Sequence, residues 1–142
     1  MNTDLWIGKE KILDGIMRHV QPLSGYENIK LLEVRPGYCN FSLEITPSML
    51  NLYGNMHGGA IFTLCDIAAG IATYAYEVSN VTLQGNINYI KAVNSGTIYV
   101  KCITEHKGRQ TAVNHVDITN EDGKLIATTT MTMFITGELK AD

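Results

Sequence analysis

From Asn51 to Asp66 the chain runs from a polar stretch rich in turn formers into an almost wholly apolar one. The residues with chemical potential are Asn51, Gly54, His57, Gly58, Gly59 and Asp66. Between Gly58 and Tyr76, Asp66 is the only ionised side chain. A carboxylate in a segment that otherwise reads as core needs a partner, or it has work to do as a base or nucleophile. At His57-Gly58-Gly59 the loop becomes helix. Backbone N–H groups there lack partners, and the helix dipole favours negative charge. Two residues without side chains also let a ligand approach the backbone. The plainer readings are a glycine entry into a tightly packed helix and an Asx turn at Asn51.

The elements that must position these residues come from bulk properties and periodicity. A chain of 142 residues, 45% hydrophobic, is one globular domain. A net charge of −3 with no basic run argues against nucleic acid. Two or three local cations still suffice for an anionic small ligand. Cys39, Cys65 and Cys102 are far apart and form no CxxC, as expected of reduced thiols. His19, His57, His106 and His115 are scattered away from the cysteines, so no metal site is expected. Charges interrupt the N-terminal apolar residues, and Asp66 interrupts the longest apolar segment. Neither a signal peptide nor a membrane span is expected, and the cytoplasm is the expected location.

In chain order, residues 3–20 show a helical period through Ile12, Leu13, Ile16, Met17 and Val20, read as a packing arm. Residues 1–28 thus form an N-terminal helix and linker. Strands follow on either side of Pro36-Gly37, with Phe41, Leu43 and Ile45 alternating against polar neighbours. Residues 58–77 read as a helix apolar nearly all round, closed by Ser79-Asn80. The next strand is expected to put Val81, Leu83, Gly85, Ile87 and Tyr89 on one face. Thr82, Gln84, Asn86 and Asn88 take the other. Three more strands follow, with turns at Asn94-Ser95-Gly96, His106 to Arg109 and Asn120 to Gly123. The last strand is expected from Lys124 to Ile135, and 137–142 is a polar tail expected to fray. Short connections imply antiparallel neighbours, so the fold class is α+β, one long helix lying on an antiparallel sheet.

The pattern Asn51-x-x-Gly54-x-x-His57-Gly58-Gly59, with Asp66 seven residues on, closely resembles the hotdog-fold acyl-CoA thioesterases of the PaaI-like branch. The resemblance covers about Ile29 to Ile135, and the expected thioesterase domain is 29–136. It implies a sheet wrapped around the long helix, and a homodimer that commonly pairs into a dimer of dimers. It also implies hydrolysis of acyl-CoA to free acid and coenzyme A without a cofactor. By the resemblance, Asp66 is the nucleophile or general base and the Gly58 N–H is the oxyanion hole. Asn51 orients water or carbonyl, while His57 and Gly59 support substrate binding. Thr82 stands where relatives carry a serine that helps place water, although the loop before it is about one residue shorter. Lys91 and Arg109 are candidates for the coenzyme phosphates, with solvated surface charge an equal reading for each. The competing functions are a dehydratase or hydratase on acyl thioesters and a non-catalytic acyl-CoA binder. The former pair a histidine with an acid in a different motif, which the central segment lacks.

Overall fold

A helix that is apolar nearly all round must be enclosed, and the sheet encloses it. The computed structural model describes residues 8–20 and 22–139. Its elements are α1 (Glu10–His19), β1 (Lys30–Arg35), β2 (Tyr38–Glu44), α2 (Gly58–Tyr74), β3 (Val78–Tyr89), β4 (Thr97–Lys107), β5 (Thr111–Thr119) and β6 (Leu125–Glu138). The strands form one antiparallel sheet in the order β1-β2-β4-β5-β6-β3. Helix α2 touches every strand. It buries Ala60, Ile61, Leu64, Cys65, Ala68, Ala69, Ala72 and Thr73 against Phe41, Leu43, Ile98, Val100, Val116, Ile118, Ile126 and Met131. This is the wrapped-helix arrangement that the resemblance implies. Among the described residues no helix is long and apolar enough to cross a membrane.

Several boundaries differ from the sequence reading, each for a local reason. Helix α2 ends at Tyr74 rather than 77. Tyr76 N–H donates to Thr73 O at 3.0 Å and Glu77 N–H to Tyr74 O at 2.9 Å, tightening the exit into a turn. Glu77 then adopts φ 64°. Ser79 and Asn80, expected to close the helix, already belong to β3. Strand β6 runs three residues past its expected end at Ile135, because Gly137 and Glu138 pair with Ser79 and Val78. The expected fraying therefore does not apply to residues 137–139, and 140–142 lie outside the described residues. The predicted N-terminal helix is seen from Glu10 to His19, residues 1–7 again lying outside. Ile12 on α1 and Val20 just after it are exposed, so these two are not buried as expected of a packing arm.

The largest departure is in β3. Its register against β6 shifts between Thr82 and Gln84, a bulge that leaves Leu83 unpaired. Before the bulge Asn80 and Thr82 face the helix; after it Gly85, Ile87 and Tyr89 do. Val81 and Leu83 point outward, 54% and 60% exposed. The single alternating face expected over 81–89 is therefore two half-faces of opposite phase. Thr82 is separated from the polar stripe of Gln84, Asn86 and Asn88, which lies on the outer face.

Gly85 marks the closest approach of β3 to α2. A Cβ there would meet Phe62 Cζ at 2.6 Å and Met131 Sδ at 2.8 Å. Gly85→Val should lower the stability by about 1–3 kcal/mol through overpacking. The check is a lower urea midpoint with an unchanged denaturant slope.

Candidate functional site

The start of α2 is held by three anchors. His57 N–H donates to Met49 O at 2.8 Å, fixing the loop against the core. The His57 carbonyl accepts from Ile61 N–H at 3.1 Å, the first helical bond. The His57 side chain caps the helix, its Nδ1 accepting from Gly59 N–H at 2.9 Å. An acceptor nitrogen carries no proton, so the neutral ring holds its hydrogen on Nε2. Gly59 N–H is thus engaged by the cap. Gly58 N–H makes no hydrogen bond among the described residues and is the open donor at the positive end of the helix.

Tyr89, read from the sequence only as one residue of a strand face, adds a contact here. Its hydroxyl donates to the Gly58 carbonyl at 2.7 Å, and its ring lies 3.3 Å from where a Gly58 Cβ would sit. The Gly58–Gly59 peptide is therefore pinned at both ends, by Tyr89 at C=O and by His57 at N–H. Burial raises the Tyr89 hydroxyl pKa above its ordinary value, and the nearby Cys65 adds to this, so the group stays a donor at neutral pH. The two residues are 31 positions apart in different elements, and no local pattern signals the pair.

Asn51 accepts on Oδ1 from the N–H groups of Tyr53 at 2.9 Å and Asn55 at 3.1 Å. This is Asx-turn geometry, and it leaves the side-chain amide N–H groups for a ligand. Asn51, Asn55, Gly58, Ile61, Tyr89 and Lys91 share the lining of one cleft of about 300 Å³. Lys91 is thereby brought to the mouth that holds Gly58. Arg109 sits exposed in the turn between β4 and β5 and lines neither this cleft nor the next.

Two helical turns further on, half-buried Asp66 opens into a second cleft of about 390 Å³. The bulge delivers Thr82 here, and its hydroxyl donates to Asp66 Oδ1 at 2.5 Å. Among the described residues no ion pair forms with the carboxylate; its hydrogen-bond partner is this hydroxyl. Ile67, Gly70, Ile71, Tyr74, Asn80, Val81 and Met133 complete the cleft. The two clefts share no residue. Gly58 and Asp66 are eight positions apart on one helix, about 12 Å along its axis. A single reacting carbonyl cannot reach both within one chain, because donor and base must each stand about 3 Å from the atoms they serve. Among the described residues no cluster of histidine, cysteine or carboxylate side chains could hold a metal ion.

Comparison with known proteins adds to this geometry. Residues 53–127 match the family model of the thioesterase superfamily. The acyl-coenzyme A thioesterase PaaI of Escherichia coli is 27% identical over 100 residues, which are 70% of this chain and 71% of that protein. A hypothetical thioesterase of Streptococcus pneumoniae, solved with coenzyme A, is 39% identical with a TM-score of 0.82 over 84% of this chain and 98% of that one. The protein smu.793 of Streptococcus mutans, solved bound to acetyl-CoA, is 36% identical with a TM-score of 0.79 over 86% and 99%.

Cys65 lies beside Asp66 in sequence but points into the core. Burial pushes its thiol from the ordinary 9.0 to about 12. Cys102 is likewise raised to about 12 and Cys39 to about 11, again by burial. All three thiols should resist a disulfide-exchange reagent at pH 8 in the native protein and react once it is unfolded. The sign of the pH dependence follows. Above pH 9.0 the unfolded chain releases thiol protons that the folded chain keeps, so stability should fall as pH rises from there. Urea titrations at pH 8 and pH 10 measure it.

Proposed function

Because the chain belongs to the thioesterase superfamily and is a thioester hydrolase of the hotdog fold, we propose that it cleaves acyl-CoA to the free acid and coenzyme A at a site assembled from two copies. The observation that carries this reading is the separation of the two clefts. One holds an open backbone donor and the other a carboxylate, and neither suffices alone. In a homodimer, Asp66 and Thr82 of one chain face Gly58 and Asn51 of the partner subunit. The β3 edge is the pairing surface, since it is 12 residues long and unpaired in the chain.

The chemistry is a thioester hydrolysis without a cofactor. Asp66 takes a proton from water as that water attacks the thioester carbonyl carbon. Alternatively, the carboxylate attacks directly and water then opens the resulting anhydride. On either route negative charge moves onto the carbonyl oxygen and is met by the Gly58 N–H. The C–S bond then breaks, and coenzyme A leaves as a thiolate that takes up a proton. The Thr82 hydroxyl holds Asp66 in one rotamer. Tyr89 and His57 fix the peptide next to the donor, so that little reorganisation is needed when charge develops. The Asn51 amide N–H groups and Lys91 receive the substrate at the donor cleft, with Arg109 a further candidate for the phosphates. Two dimers pair into a tetramer. The three unpaired, buried thiols suit the reducing cytoplasm.

The relatives support the assignment of Asp66 and Thr82. The Streptococcus pneumoniae protein has also been solved with one aspartate replaced by alanine and, separately, one threonine replaced by alanine. Those two positions are 16 residues apart, the separation of Asp66 and Thr82 here. Both that protein and smu.793 hold coenzyme A or its acetyl ester.

Free-thiol release from a panel of acyl-CoA esters tests the reaction. Asp66→Ala should lose about 10²–10⁴ in kcat, and normal turnover by that variant would sink the mechanism. Tight binding of the esters with no thiol release would instead assign an acyl-CoA-binding protein. The two-copy site has its own test. Inactive Asp66→Ala and inactive Gly58→Val chains, unfolded together and refolded, should regain about a quarter of wild-type activity through mixed dimers with one intact site. No recovery would place both groups in a single chain.

A further inference from the structure

Glycine in the middle of a helix is unfavourable, and it persists where something forbids a side chain. Gly85 has such a reason in its close neighbours, and Gly58 has one in the Tyr89 ring. Gly70 has neither. It lies inside α2 with ordinary helical backbone, outside the left-handed region. A Cβ placed on it would meet only Met133 Cε, at 4.0 Å. Nothing in the chain excludes alanine there, and what the glycine leaves is empty space.

That space adjoins Asp66. Asp66, Gly70 and Tyr74 follow one another at intervals of four residues, so they stack along one face of α2, about 5–6 Å per turn. Ile67 and Ile71 flank them, and Met133 faces them from β6. The cleft is therefore polar at the Asp66–Thr82 end and mostly apolar over the next two turns, with Asn80 its one further polar side-chain amide. Asn80 Nδ2 donates to the Gly70 carbonyl at 3.3 Å, tying β3 to the helix backbone beside the gap. The gap is thus spanned by a strand-to-helix tie. An acyl chain running from a thioester carbonyl at Asp66 along this face would meet the level of Gly70 one helical turn on.

We propose that Gly70 sets the acyl specificity: its missing side chain makes room for an apolar acyl group bulkier than acetyl, bounded by Ile67, Ile71, Tyr74 and Met133. The inference rests on the thioester-hydrolase reading and deepens it.

Wild type, Gly70→Ala and Gly70→Val are assayed for thiol release from acetyl-CoA, hexanoyl-CoA and phenylacetyl-CoA, with the mass in solution followed by light scattering. Wild type should favour the two bulky esters. Gly70→Val should lose roughly 10–200-fold in kcat/KM on those two while acetyl-CoA is spared. Gly70→Ala should fall between the two. It should also melt roughly 2–4 °C higher than wild type, because alanine is the better helix residue, so this variant keeps the test open even if valine is not tolerated. Equal losses on all three esters, unchanged selectivity, or a changed oligomeric mass would overturn the proposal, the last by showing that the gap receives a second copy. Absence of thiol release by wild type would instead defeat the hydrolase reading. The same three esters are then compared by binding, where Gly70→Val must still discriminate against the bulky pair or the inference fails.

Discussion

Everything in this fold follows from the need to hide α2 while leaving two of its points open. A helix with Ala60, Ile61, Leu64, Ala68, Ala69 and Ala72 fully or almost fully buried cannot stand in water, and its small residues let a curved sheet come close on several sides. The enclosure is so tight at Gly85 that β3 has no room for a methyl group. Against that background the two openings stand out. One is the helix start, where the chain has left a backbone donor without a partner. The other is Asp66, where the lining strand presents a hydroxyl instead of another apolar side chain.

The polar groups inside the enclosure divide by purpose. Asn114, fully buried, accepts from the Thr104 hydroxyl at 2.6 Å and donates to Thr73 at 3.1 Å, joining two strands to the end of α2. That network is closed, and among the described residues no buried side-chain polar atom lacks a partner. It fixes the helix along its axis, which in turn fixes where Gly58 and Asp66 stand. The groups at the two clefts are satisfied only in part. Asn51 has its oxygen engaged and its amide N–H groups open, and Gly58 has its carbonyl clamped and its N–H open. A saturated network holds shape; a partly satisfied one is ready for a ligand.

How much of this was legible in the sequence depends on the range of the signal. Asp66 stood out because a single charge interrupted an apolar run. Open N–H groups at Gly58 and Gly59 followed from a loop meeting a helix, the choice of Gly58 from the resemblance, and the distance to Asp66 from helical pitch. All of these are local properties. Tyr89 was not legible as a clamp, because its partner is 31 residues away and their meeting depends on how far β3 leans over α2. The face of β3 was misread for a similar reason. Val81, Leu83, Gly85, Ile87 and Tyr89 alternate without a break, and only pairing with β6 reveals the extra residue at Leu83. Thr82 was found through resemblance, but its place beside Asp66 depends on that bulge. The open space at Gly70 left no trace in the sequence, since a helical glycine looks the same whether it is packed or empty.

The bulge has a consequence for how this family of shapes can vary. A strand without it would tie the two openings together, because a change of parity at one end would invert the other. Leu83 acts as a phase slip between them. Upstream, even-numbered side chains serve the carboxylate; downstream, odd-numbered ones serve the helix start. One ribbon therefore carries two independent reading frames. Substitutions around the Asp66 cleft can accumulate without disturbing the tyrosine that holds the Gly58 carbonyl. The defect in the ladder is what lets the surroundings of Asp66 and of Gly58 vary separately.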